Sequence, residues 1–365
     1  MKIRILLLCL LCFYQGFAQQ EDSPAYWNMD VTPFYGSILL HNTDISHLIR
    51  DHPSGVILGF NKQTFGHEGW EAPFNFPDTG FSVVYQDMKN STLGHNLGVY
   101  LHYNFYLLKR KLQFRIGQGI AYNTNPYNKE ENFRNNAYGS HLMSSTFLVF
   151  NYHRPRLFKN LGVKAGISLI HYSNANVKAP NTSTNTFAFN AGLIYDLKGN
   201  PEEEFIRKEQ PEIRESVKMN LVFRSGINES DVINSGQYSF YIFSAYADKR
   251  LGKFSAIQLG SDVFYSNFLK ELIRFQSISF PELEVDPATD FKRVGIFVGH
   301  ELFINKLSVI TQLGYYVYYP FDFEGQVYNR VGVKRYFGDK WFAALSLKSH
   351  AAKAEAVELG IGIRL

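Results

Sequence analysis

Beyond residue 18 this chain of 365 residues contains no cysteine; its only two, Cys9 and Cys12, stand in an apolar N-terminal run. That absence removes disulfides, thiolate metal sites and a cysteine nucleophile from the rest of the chain. Nor does any later segment hold an uninterrupted apolar run of about 18 residues, which excludes helical membrane spans. Charge of one sign is also missing: 37 Lys and Arg against 33 Asp and Glu give a net +4. The cations are scattered rather than gathered in a stripe, so no nucleic-acid partner is expected. There is no Walker loop, dinucleotide fingerprint or G-x-S-x-G elbow. His300-Glu301 has Ile304 where a zinc helix would place its second histidine. His41, Asp44, His47, Asp51 and His52 share one polar loop and read as solvated. No metal and no cofactor is expected.

What the chain does have is, first, a secretory leader. Lys2 and Arg4 precede the apolar run from Ile5 to Phe13, and Gly16 and Ala18 stand at the −3 and −1 positions of a cleavage site. Residues 1–18 therefore read as a signal peptide. Neither cysteine follows the small residue that lipidation requires, so an exported protein without a lipid anchor is expected.

Second, aromatics are abundant, with 32 Phe and 23 Tyr, and they sit in segments of period-two alternation. Leu97, Val99, Leu101, Tyr103, Phe105 and Leu107 oppose Gly98, Tyr100, His102, Asn104 and Tyr106. Val217, Met219, Leu221 and Phe223 oppose Lys218, Asn220 and Arg224; at the C-terminus Val357, Leu359, Ile361, Ile363 and Leu365 oppose Glu358, Gly360, Gly362 and Arg364. Segments of about ten residues with one oily face are the length of tilted transmembrane strands. A secreted sandwich also alternates. The leader, aromatics near strand ends (Tyr315, Tyr316, Tyr318, Tyr319) and the lack of helical periodicity favour the membrane.

The expected fold class is all-β: an antiparallel transmembrane β-barrel of about sixteen strands. Strands begin near Met29, Val56, Phe81, Leu97, Leu112, Leu142, Leu161, Asn185, Val217, Tyr238, Phe254, Val294, Leu307, Val327, Phe342 and Val357. The alternative is an eight-stranded barrel plus a second β half. Residues 19–197 form the first half, 198–214 a charged linker or long turn, and 215–365 further strands completing a larger barrel. With periplasmic termini, the long connections 41–51, 123–136, 174–184 and 266–290 face the cell exterior. The connection 63–79, like 198–214, is too long for an ordinary periplasmic turn.

The chemistry-bearing stretch is Gly166–Asn176, G-I-S-L-I-H-Y-S-N-A-N. On a strand, His171 and Ser173 share a face with Ile167 and Leu169, an imidazole beside a hydroxyl at the end of an apolar stripe. That face points to lipid in a barrel.

The run H-Y-S-N-A-N-V-K-A-P-N from His171 resembles the active-site signature of the outer-membrane lipid A 3-O-deacylases. F-R-I-G-Q-G-I-A-Y-N-T-N-P-Y-N from Phe114 and N-N-A-Y-G-S-H-L from Asn135 resemble its Bacteroidetes, acyloxyacyl hydrolase-like, version. The likeness is good from about residue 80 to 197. It implies an outer-membrane esterase that cuts an ester-linked acyl chain from lipopolysaccharide, with Ser173 as nucleophile and His171 as general base. Asn174 and Asn181 would be candidates for oxyanion or substrate hydrogen bonding. Independently of the resemblance, Lys178 on the outer loop reads either as a phosphate contact or as a solvated surface lysine. The family's orienting glutamate falls on Asn185. Three readings stay open: a Ser-His-Asn arrangement, an acid supplied by another strand, or a fold kept without the reaction. The competing function is a non-catalytic outer-membrane barrel, a channel or a structural or adhesive protein.

Overall fold

The computed structural model describes residues 26–197, 204–208, 215–351 and 353–365. The leader at 1–18 lies outside these, as does most of the segment 198–214. The strands are β1 Trp27–Ile38, β2 Ser54–Lys62, β3 Asp78–Asp87, β4 His95–Leu107, β5 Leu112–Asn123, β6 Leu142–Phe158, β7 Leu161–Ser173 and β8 Thr184–Asp196. There follow β9 Lys218–Asn228, β10 Tyr238–Gly252, β11 Ser255–Ser266, β12 Lys292–Ile304, β13 Leu307–Tyr318, β14 Val327–Phe337, β15 Trp341–His350 and β16 Lys353–Arg364.

The expected strand count is met among the described residues, but the closure is different. The chain forms two closed antiparallel barrels, β1 to β8 and β9 to β16, rather than one larger barrel. β1 pairs with β8, Asn28 opposite Asp196 and Ile38 opposite Thr186. β16 returns to β9, Arg364 opposite Asn220. The correction has a physical reason. An eight-stranded barrel is narrow enough for inward side chains to fill, and both interiors here are filled.

In the first barrel Asp30 meets Arg115 Nη2 at 2.6 Å and Lys164 Nζ at 2.7 Å. Arg115 also donates to Asn104 and Asn61, and His102 bonds Asn61. Toward the outer end an apolar plug including Phe34, Ile57, Tyr100, Phe147, Ile170 and Tyr172 closes the lumen. In the second barrel Arg330 bridges Glu358 at 2.6 Å and Asp262 at 2.9 Å, Lys334 meets Glu301 at 2.9 Å and Arg293 meets Glu355 at 2.6 Å. Each of these lumenal charges has an opposite charge in contact, which such groups need away from water.

The outside is the reverse. Leu97, Val99 and Leu101 are exposed while Tyr100, His102 and Asn104 are buried, and the second barrel repeats this with Leu221 and Phe223 against Asn220 and Arg224. Oil outside and ion pairs inside is the pattern of a barrel in lipid. The aromatic clusters are split by the pleat: Tyr315 and Tyr318 face outward, whereas Tyr316 is buried in the lumen.

One element was not anticipated. The connection after β11 contains a helix, α1, Asn267–Ser279. Phe268, Leu269 and Leu272 form an apolar side that packs on Tyr238, Phe291 and Phe323.

The two barrels are joined by contacts between their connections. At the inner end the long connection after β2 meets the second barrel: Phe74 packs edge-on to Phe254 with ring centroids 5.3 Å apart, and Asn305 donates to Glu68 at 2.7 Å. The 63–77 segment, long for a periplasmic turn, thus reaches the second barrel. At the outer end the connection after β7 meets the one after β9.

Candidate functional site

The pleat of β7 buries Lys164, Ser168, Ile170 and Tyr172 in the lumen and turns Val163, Ile167, Leu169, His171 and Ser173 to the other side. His171 is half-buried on the outer face, and the 174–183 connection folds over Ser173, which is 5% exposed. The pair thus lies on the outward face at the C-terminal end of its strand.

The register of β7 with β8 sets His171 opposite Asn185. Their side chains meet, His171 Nδ1 to Asn185 Oδ1 at 2.8 Å. An amide oxygen only accepts, so with this amide orientation the ring proton is on Nδ1 and Nε2 is the basic nitrogen. Asn185 therefore fixes a base-competent tautomer, though without the charge that a carboxylate would set against an imidazolium. No carboxylate among the described residues replaces it in contact with His171.

Ser173 Oγ donates to Asn181 Oδ1 at 3.1 Å and accepts from the Ala175 N–H at 2.9 Å. Asn181 Oδ1 also takes the Asn174 N–H at 2.9 Å. The Asn174 side chain donates to the Lys178 carbonyl at 2.6 Å, and Asn181 Nδ2 reaches Asn176 Oδ1 at 3.0 Å. In this state the hydroxyl is turned to Asn181 rather than to His171. The structure sets these residues in two groups, His171 with Asn185 on the outer face and Ser173 with Asn174 and Asn181 in the connection over it, and no side-chain hydrogen bond joins the two groups among the described residues.

Ala175 and Asn176 take positive φ values of 53° and 59°. Consecutive left-handed residues are costly without glycine. The tight bend they make carries the Ala175 N–H back to Ser173, a contact that no sequence motif singled out. Lys178 lines an outer cleft of about 470 Å³ with Tyr127, Glu131 and His141. No cluster of metal-ligating side chains occurs among the described residues.

The description "Lipid A 3-O-deacylase (PagL)" matches residues 54–193, all within the first barrel, and "Acyloxyacyl hydrolase, C-terminal domain" matches residues 217–365, the second. The chain belongs to this family. Together with the apolar exterior, that membership makes it an outer-membrane β-barrel protein of a family associated with lipid A deacylation. No curated protein matches it. Solved outer-membrane structures align at low identity. A mutant porin of Rh. blastica is 7% identical, covering 93% of this chain and 100% of that one, with a TM-score of 0.18. Acinetobacter baumannii Omp33 is 8% identical, covering 93% and 98%, at 0.18, and OccAB3 of the same organism 10% identical, covering 94% and 99%, at 0.23. Overlap that small carries no structural argument.

Proposed function

We propose that this protein is an outer-membrane esterase that removes an ester-linked fatty acyl chain from lipid A by a Ser-His mechanism. The observation that carries the proposal is the placement of His171, held by Asn185, beside Ser173 on the lipid-facing side of the first barrel. A membrane-embedded ester is reached only from that side, and a polar pair facing lipid with no role would be a cost.

In this mechanism Ser173 Oγ turns from Asn181 to His171, whose Nε2 takes the hydroxyl proton as Oγ attacks the ester carbonyl carbon. N–H groups of the 174–183 connection stabilise the oxyanion. Collapse breaks the bond to the sugar oxygen, which leaves with the proton held by His171. Water, deprotonated by the same nitrogen, then cleaves the acyl-serine and releases the fatty acid. Lys178 offers a cation to a lipopolysaccharide phosphate near the outer cleft.

A second reading, a non-catalytic structural or adhesive barrel, is favoured by the resting Ser173–Asn181 bond and by the amide at position 185. A channel is disfavoured because both lumens are filled. Purified protein in micelles with lipopolysaccharide separates the two. The esterase reading expects release of a hydroxy fatty acid and labelling of Ser173 by a lipophilic fluorophosphonate, both lost in Ser173→Ala. Absence of both from the folded wild type leaves the scaffold.

A further inference from the structure

The second barrel touches the first at the connection that carries the site. Glu229 directly follows β9 and is 4% exposed. Its Oε2 accepts the Ala179 N–H at 2.9 Å and its Oε1 the Gly236 N–H at 3.1 Å, while its own N–H donates to the Asn176 carbonyl at 2.8 Å. Next to it Gln237 Nε2 donates to the Val177 carbonyl at 2.7 Å. The cross-barrel bonds thus fall on Asn176, Val177 and Ala179, between Asn174 and the Asn181 side chain that accepts from both Ser173 and the Asn174 N–H.

We propose that Glu229 is a positioning residue for the site on the first barrel, so that the second barrel completes the hydrolase rather than standing beside it. This rests on the esterase reading above. A carboxylate withdrawn from water requires its hydrogen-bond donors, and here one of the two donors belongs to the other barrel's catalytic connection. From the Glu229 carboxylate the restraint runs through the Ala179 N–H, two residues before Asn181, whose oxygen accepts from Ser173, while the Glu229 main-chain N–H separately holds the Asn176 carbonyl. Glu229 is not needed for its own barrel to close, since β9 and β10 are already registered through Asn228 opposite Tyr238.

Glu229→Ala and Glu229→Gln in the full chain test this, with two readouts. Amide hydrogen exchange of the 174–183 connection is expected to rise roughly tenfold or more in Glu229→Ala, with the β7 and β8 amides unchanged. Hydrolysis of lipopolysaccharide is expected to fall about tenfold in kcat at unchanged KM, because the loss is in geometry at the reacting carbon and not in lipid binding. Glu229→Gln, which keeps one oxygen for the Ala179 N–H, is expected to restore part of both. Unchanged exchange, or unchanged turnover beside an active wild type, overturns the proposal. A folded wild type without turnover removes the esterase reading instead, and exchange alone then decides whether Glu229 holds the connection.

Discussion

The contact between His171 and Asn185 sets up a test by gain of function. Asn185→Asp is nearly isosteric and keeps an oxygen near the 2.8 Å position on His171 Nδ1. It adds a negative charge next to a ring that becomes imidazolium as Ser173 gives up its proton. A hydrogen bond to a charged partner is worth about 1 to 2 kcal/mol more than a neutral one, which corresponds to roughly a five- to thirtyfold faster acylation step. The roughly 10⁴-fold effect of an acid-to-amide change in serine proteases is an upper limit, because part of it is a wrong tautomer. Here the amide oxygen already sets the productive tautomer, so the smaller figure applies. Asn185→Ala removes the orienting bond and is expected to fall below wild type. The assay is the initial rate of fatty acid release from lipopolysaccharide in micelles, normalised to folded barrel by heat-modifiable gel mobility. Equal rates for Asn185→Asp, Asn185→Ala and wild type would refute an orienting role for this position.

Three further outcomes follow from the fold. Val31 and Leu193 are partners across the β1–β8 seam, so in a chain whose mature part lacks cysteine Val31→Cys with Leu193→Cys should form a disulfide in folded protein; a single sixteen-stranded barrel would keep these positions apart. Arg330→Met leaves Asp262 and Glu358 with only the more distant Arg224, at 3.9 and 3.7 Å, as their cation, which should destabilise the second barrel by about 3 kcal/mol and give an earlier guanidinium transition while the first barrel keeps its own. Leu101→Arg places a charge on the exposed face of β4, where it is expected to cost about 2–4 kcal/mol in bilayers if mid-membrane, against almost nothing on a secreted sandwich.

Alternation is a local signal, and it located the strands well: the expected start near Leu161 is that of β7, and the one near Phe254 is a residue short of β11. It also placed His171 and Ser173 on the outer face from their parity with Ile167 and Leu169. Closure is long-range. Whether Asn28 pairs with Asp196 or with a strand near the C-terminus leaves the alternation of both unchanged, so one barrel and two are written alike. The α1 helix was hidden because its apolar side, Phe268, Leu269 and Leu272, is short and set in a polar connection. The Asn185 contact was foreseeable from family spacing. The Glu229 contact was not, since it joins two barrels through backbone groups that have no residue preference.

The central claim, that Ser173 removes an acyl chain from lipid A in the outer membrane, is tested most directly by the mass of lipid A from cells expressing wild type, Ser173→Ala and His171→Ala. Loss of one hydroxyacyl group is expected with wild type alone. Unchanged lipid A in all three, with each protein folded in the outer membrane, would contradict it.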